Sequence, residues 1–130
     1  MNCANPIGRP EPDRRTVLLV EPDVLLRVLV SEVLREQGFN VAAARNADEA
    51  LSIVQSGFGV DLLVSETDPP TVSPAASLPA TVRAQYPEIK IVVASGDVAH
   101  GEPRENMDAF LPKPYDLGKL VRLIKSLLGG

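Results

Sequence analysis

Tryptophan is missing from this chain and aromatic residues make up only 4% of it, so any core must be assembled from aliphatic side chains. Cysteine occurs once, as Cys3 in a polar N-terminal stretch, which leaves no partner within the chain and excludes a disulfide framework. A reducing compartment follows as the default, and a cytoplasmic location is expected. No apolar run approaches the length of a membrane span, and residues 1–15 lack the apolar centre of a signal peptide. Basic excess is missing too, since 13 Lys and Arg stand against 17 Asp and Glu, a formal net charge of −4 at pH 7. A nucleic-acid binder needs a basic footprint to neutralise phosphates, so that class is disfavoured, and acidity of this size mainly serves solubility. The single histidine, His100, lies among Gly101, Glu102 and Pro103 in what reads as a surface loop. That leaves a hydrolase no visible nucleophile–base pair, and no enzyme activity is expected.

What is present is 45% hydrophobic residues in 130, enough for one domain that buries roughly two-thirds of its unfolded surface. Residues 1–15, with Pro6, Pro10 and Pro12 and no hydrophobic period, are predicted to form a disordered tail ahead of a folded domain at 16–130. Short apolar runs at 17–20, 39–44, 62–64, 89–94 and 109–111 then alternate with helical patterns. Continuous apolar strands separated by helices signal a parallel sheet covered on both faces. The first helix is predicted over residues 23–37, stopping at Gly38, and Asn46 with Glu49 opens the second as a capping-box pair. Region 70–87 reads as poor helix because of Pro74 and Pro79, and 97–107 has space for only a short fourth helix. The last helix begins near Asp116, with Leu117, Leu120, Val121, Ile124, Leu127 and Leu128 on one face and Lys119, Arg122, Lys125 and Ser126 opposite. Asp61 reads as a simple strand-boundary residue.

On the first helix, a step of ~100° per residue puts Leu26, Leu29, Val30, Val33 and Leu34 in one stripe toward the sheet. Val24, Leu25 and Val28 fall outside it, beside Glu32 and Arg35. They are either covered by a neighbouring helix or form an exposed apolar patch for a partner.

Ligands of open α/β sheets sit beyond the carboxyl ends of the strands, where strand order reverses. Glu21 follows the first apolar run, Ser65-Glu66 the third, Ser95 the fourth and Lys113 the fifth. Strand order 2-1-3-4-5 would bring these two acids, a hydroxyl and an amine to one rim. At this point the stretch from Thr16 to Leu128 resembles the receiver domain of two-component response regulators. The resemblance rests on Leu18-Leu19-Val20-Glu21-Pro22-Asp23, on residues 61–66 with Pro70 four residues on, on residues 91–96, and on Phe110-Leu111-Pro112-Lys113-Pro114. It implies a doubly wound, flavodoxin-like (βα)5 fold of order 2-1-3-4-5, here with weak or shortened third and fourth helices. The family's usual chemistry is phosphoryl transfer from a histidine kinase to an aspartate, with Mg²⁺ on neighbouring acids.

The resemblance also exposes departures. Glu66 stands where the family carries its phosphorylated aspartate, and Pro22 where it carries a second metal-binding acid. Asp68 cannot replace the acceptor without losing strand register and proline spacing. Glu21, Ser95, Phe110 and Lys113 match the first acid, the switch hydroxyl, the switch aromatic and the phosphate-contacting lysine. Proline offers Mg²⁺ no side-chain oxygen. Glutamate reaches about 1 Å farther than aspartate, an error that can cost about a hundredfold in rate. The expectation is a degenerate, stand-alone pseudo-receiver that binds a protein partner such as a histidine kinase, with a Glu66–Lys113 ion pair holding one conformation. Glu66 then either mimics the charged state or is a relic, and Ser95 either acts as a switch hydroxyl or caps a turn. No cofactor is expected beyond weak Mg²⁺ binding at Glu21 and Asp68. The resemblance further implies a Lys113-Pro114 bond that can be cis and a first helix that docks a kinase helical bundle. Residues 95–113 run about one helical turn short of the family spacing, which argues against the family's usual dimer there. The chain stopping at Gly130 suggests no output domain. Alternatives are a still-active phosphoacceptor with atypical residues, or a nucleotide- or flavin-binding domain; the latter lacks a Gly-rich loop after the first strand, where Glu21-Pro22-Asp23-Val24 stands.

Overall fold

The computed structural model describes residues 14–66, 77–95, 106–113 and 116–129, with Glu66 and Ser95 described through their backbone. Asp68, Pro70, Pro74, His100, Pro114, residues 1–13 of the expected tail and nearly all of the expected fourth helix lie outside the described residues. Five strands form one sheet: β1 (Thr16–Val20), β2 (Asn40–Ala44), β3 (Leu62–Glu66), β4 (Lys90–Ser95) and β5 (Ala109–Pro112). Their order is β2-β1-β3-β4-β5 and every pairing is parallel, as the doubly wound reading requires. Four helices are described: α1 (Val24–Glu36), α2 (Ala47–Gln55), α3 (Leu78–Gln85) and α4 (Leu117–Leu128).

Strand pleating divides the aliphatic core into two layers. Val17 and Leu19 of β1, Leu62 and Val64 of β3, and Val92 of β4 face α1 and α4, meeting Val30, Leu34, Leu120 and Ile124. Leu18, Val20, Leu63, Ile91 and Val93 face α2 and α3, meeting Ala50, Val54, Leu78 and Val82. Each fully buried Leu or Val side chain contributes roughly 1.5–3 kcal/mol, so β1, buried at all five positions, is a main source of stability.

Local chemistry ends the helices as expected in some places and not in others. Asp23 caps α1 by accepting from the Leu26 N–H at 3.1 Å, and Gly38 takes a positive φ of 96° just beyond the helix. The buried arc of α1 is rotated by roughly half a residue step from the predicted stripe. Leu29 is therefore 49% exposed, while Ser31 is buried beside Val30 and Leu34. Only half of the predicted capping box forms at α2. Asn46 accepts from the Glu49 N–H at 2.9 Å, but the Glu49 carboxylate turns to the Arg45 backbone N–H and guanidinium instead of the cap residue's own N–H. Pro79 does not weaken α3, because it sits in the first turn, where its missing N–H would have no helical partner. Ser77 caps that helix by accepting from the Ala80 N–H at 3.1 Å.

Two aspartates fasten the strands at the end opposite the rim. Asp61 is more than a boundary residue: its carboxylate accepts from the Thr16 N–H at 2.8 Å, its own N–H donates to the Thr16 carbonyl at 2.9 Å, and its carbonyl accepts from the Lys90 N–H at 3.1 Å. Asp108 does similar work between β4 and β5, accepting from the Ile91 N–H and the Arg83 guanidinium, each at 2.8 Å.

Candidate functional site

The carboxyl ends of the three central strands and β5 carry the rim. Register places Glu66 of β3 across from Ala94 of β4, and Ser95 across from Pro112 of β5, so Lys113 is the first residue to leave the sheet at its β5 edge. Glu21 leaves it from β1. Because β1 lies inside the sheet, Glu21 is only 3% exposed, an unusual place for a carboxylate without a partner.

Every polar group of Glu21 has a partner. Its N–H extends the ladder to β2 by donating to the Ala44 carbonyl at 2.9 Å. Its carbonyl accepts from the Arg27 guanidinium at 2.8 Å, across the first turn of α1. On the side chain, Oε2 accepts from the Asp23 backbone N–H at 3.0 Å, and Oε1 accepts from the Lys113 ammonium at 2.8 Å. The Lys113–Glu21 pair joins residues 92 apart in sequence, with the lysine side chain 20% exposed and the glutamate side chain 4%. An ion pair this sheltered is held far more firmly than a surface pair.

Sequence reasoning had expected the Lys113 ammonium to pair with Glu66. Glu21 is the described partner, and the Glu66 side chain lies outside the described structure. Phe110 is half-buried and packs on the core layer under α2 and α3. Asp68 lies outside the described residues. The structure thus brings Glu21 and Lys113 into direct contact, and it adds Asp23 and Arg27, which sequence reasoning had not assigned to the rim. The signal for them was local: Asp23 stands two residues and Arg27 six residues after Glu21, within reach of its peptide once α1 starts at Val24. At the start of α4, Asp116 accepts from the Lys119 N–H at 3.1 Å, and this bond with that of the Gly118 N–H holds its carboxyl below the usual range.

A divalent ion does not fit the described rim. Glu21 gives one oxygen to an ammonium and the other to a backbone N–H. Pro22 has no side-chain oxygen to give, and Asp23 spends Oδ1 on capping α1. Among the described residues no group of three or more His, Cys, Asp or Glu side chains could hold a metal.

The exposed apolar side chains of α1 lie beside this rim. Val24, Leu25 and Val28 are 59%, 81% and 51% exposed, so α2 and α4 do not cover them, and Leu29 joins the patch. Among the described residues no helix is long and apolar enough to cross a membrane.

Residues 17–125 match the response regulator receiver domain. The chain is 33% identical over 118 residues to the sensor kinase CckA of Brucella abortus (strain 2308), covering 87% of this chain and 12% of that protein. It is 30% identical over 114 residues to the transcriptional regulatory protein CpxR of Escherichia coli (strain K12), covering 86% of this chain and 48% of that one. It therefore spans about an eighth and about half of these two curated relatives. The crystal structure of the response regulator TrrA from Thermotoga maritima, in complex with Mg²⁺-BeF, shares the fold with a TM-score of 0.75 at 23% identity, over 87% of this chain and 98% of that one. With the sheet order, the two-layered core and the rim already in place, the chain belongs to the response regulator receiver domain family.

Proposed function

We propose that this chain is a pseudo-receiver, a cytoplasmic signalling module that binds a two-component partner and modulates it by contact, without conventional aspartyl phosphorylation and without enzyme activity. One observation carries the reading: the retained acid Glu21 is closed by the Lys113 ammonium at 2.8 Å while its neighbour is Pro22. Phosphoryl transfer depends mostly on positioning and charge neutralisation, with a metal ion bridging phosphate oxygens. Here the first acid is engaged and the second is absent from the sequence. Glu66, the acceptor-equivalent, reaches about 1 Å farther than an aspartate, which by itself can cost about a hundredfold. In this reading Ser95, Phe110 and Lys113 are retained scaffold of a switch, and Glu66 stands at the acceptor position on β3. Glu21 and Asp68 are left as weak Mg²⁺ ligands at most.

Val24, Leu25 and Val28 supply the partner surface in this proposal. Support comes from their exposure and from relatives whose names place them on both sides of two-component signalling, a sensor kinase and a transcriptional regulatory protein. A histidine kinase helical bundle is the partner of choice. The test is incubation of the whole chain with acetyl phosphate and Mg²⁺, followed by intact mass. No phosphate adduct is expected. An adduct that disappears in Glu66→Gln overturns the proposal.

A further inference from the structure

We propose that the Lys113 ammonium is the resident cation of Glu21: it supplies the positive charge that a divalent ion would otherwise bring, so this acid is complete without metal. The inference rests on the pseudo-receiver reading but fails independently of it. Its ground is the mismatch between the family's Mg²⁺ and the residues at this rim.

A carboxylate 3% exposed cannot stay charged beside a strand end without compensation. Two sources of compensation exist in principle, a bound ion or a tethered one. The tethered one is in place: Lys113 follows β5 directly, and its Nζ sits 2.8 Å from Oε1, a charge-assisted hydrogen-bond distance. The rest of the residue is closed as well. Oε2 is turned to the Asp23 N–H at 3.0 Å, the Glu21 carbonyl to Arg27 at 2.8 Å and the Glu21 N–H to Ala44 at 2.9 Å. Backbone contacts of this kind fix the carboxylate's direction, and that direction is toward the lysine. An incoming Mg²⁺ would have to displace the ammonium, and Pro22 would return no second carboxylate for the exchange. Removing the lysine, by contrast, leaves a buried anion with a vacant oxygen facing the rim opening. Such a group attracts whatever cation is available.

The experiment compares thermal unfolding of the full chain and three variants, Glu21→Gln, Lys113→Met and the double variant, with and without excess Mg²⁺ or Mn²⁺. The wild-type chain is expected to shift with added ion no more than Glu21→Gln does. A specific site at a hundredfold excess of ion over its dissociation constant would raise the midpoint on the order of 10 °C. Lys113→Met is expected to melt on the order of 10 °C lower in the absence of ion, as breaking one side of a sheltered pair does. Added ion should restore part of that loss, and the restoration should vanish in the double variant. A wild-type shift larger than that of Glu21→Gln overturns the proposal, as does a folded Lys113→Met that no divalent ion restores. Where Lys113→Met does not fold, the wild-type and Glu21→Gln comparison alone decides. A trapped phosphate adduct would remove the pseudo-receiver reading, whereas these melts are made on unphosphorylated protein and speak only to the cation.

Discussion

Leu25→Glu separates a binding surface from a folding surface more sharply than any other change on α1. Leu25 is 81% exposed, so about a fifth of the value of burying a leucine, ~0.3–0.6 kcal/mol, is all that the fold can lose. Glutamate nearly matches leucine in helix propensity. The first turn of α1 has no acidic residue, and a carboxylate there gains ~0.3–1 kcal/mol from the helix dipole. The two effects cancel to within ~0.5 kcal/mol, which moves the melting midpoint by only about 2 °C. Docking should respond quite differently. A leucine buried by a partner contributes ~1.5–3 kcal/mol, and a carboxylate in its place must also be desolvated, so affinity should fall at least tenfold. Urea unfolding of the variant, paired with titration against the histidine kinase helical bundle that captures the wild-type chain, measures both quantities. Val28→Glu should behave alike, while Val30→Glu, at a fully buried position one turn of the same helix away, should unfold the chain. An unfolded Leu25→Glu, or a folded one that binds the bundle as tightly as wild type, refutes the assignment of the patch.

Two further changes address the scaffold. The Asp108 carboxyl is held below its usual range, because burial, which alone would raise it, is outweighed by the Arg83 guanidinium and the Ile91 N–H. A lowered folded pKa gives stability that is full above the unfolded value of ~3.9 and disappears as pH falls through the folded one. Asp108→Asn should thus cost about 1.5 kcal/mol at pH 7, and its deficit against wild type should shrink as pH falls below the unfolded value and through the lowered folded one. Melts across that range would show a pH-independent deficit if the carboxylate's charge were irrelevant. Asn46→Ala should remove the bond to the Glu49 N–H and cost about 1 kcal/mol in chemical denaturation, with no effect on the rim.

The central strands were legible because they are buried on both faces. A run such as Thr16–Val20, buried at every position, needs no alternation to be recognised, and the parallel order follows once each run is separated by a helix. The cap at Asn46 was legible too, since a short polar side chain ahead of an apolar period has one good place to go, and the helix starts near Asp23 and Asp116 were legible without their capping role. The outward turn of Leu29 was not. Five apolar residues can be drawn into one stripe in more than one way, and which way α1 rolls depends on Val30, Ser31 and Leu34 meeting the sheet. Pro79 misled for a related reason, because proline breaks a helix or begins one according to a boundary that only Ser77 marks. At the rim, residue types identified Glu21 and Lys113 separately. The expected strand order already brought both to one rim, but which acid the ammonium meets depends on side-chain geometry across 92 positions, and the sequence reading had chosen Glu66.

The fold separates the scaffold that holds its shape from the rim that carries its charges. The two core layers are aliphatic and run beneath the rim without using any of its charges: Val20, Val64 and Ala94 are buried whatever stands at their carboxyl ends. Among the described residues the one charged side chain buried with them, Glu21, pairs with Lys113 of the same rim. Changes at the rim that leave this pair in place should therefore cost little in stability, because no core contact is lost with them. The exposed face of α1, unlike the sheltered pair, is a surface that a protein can meet directly.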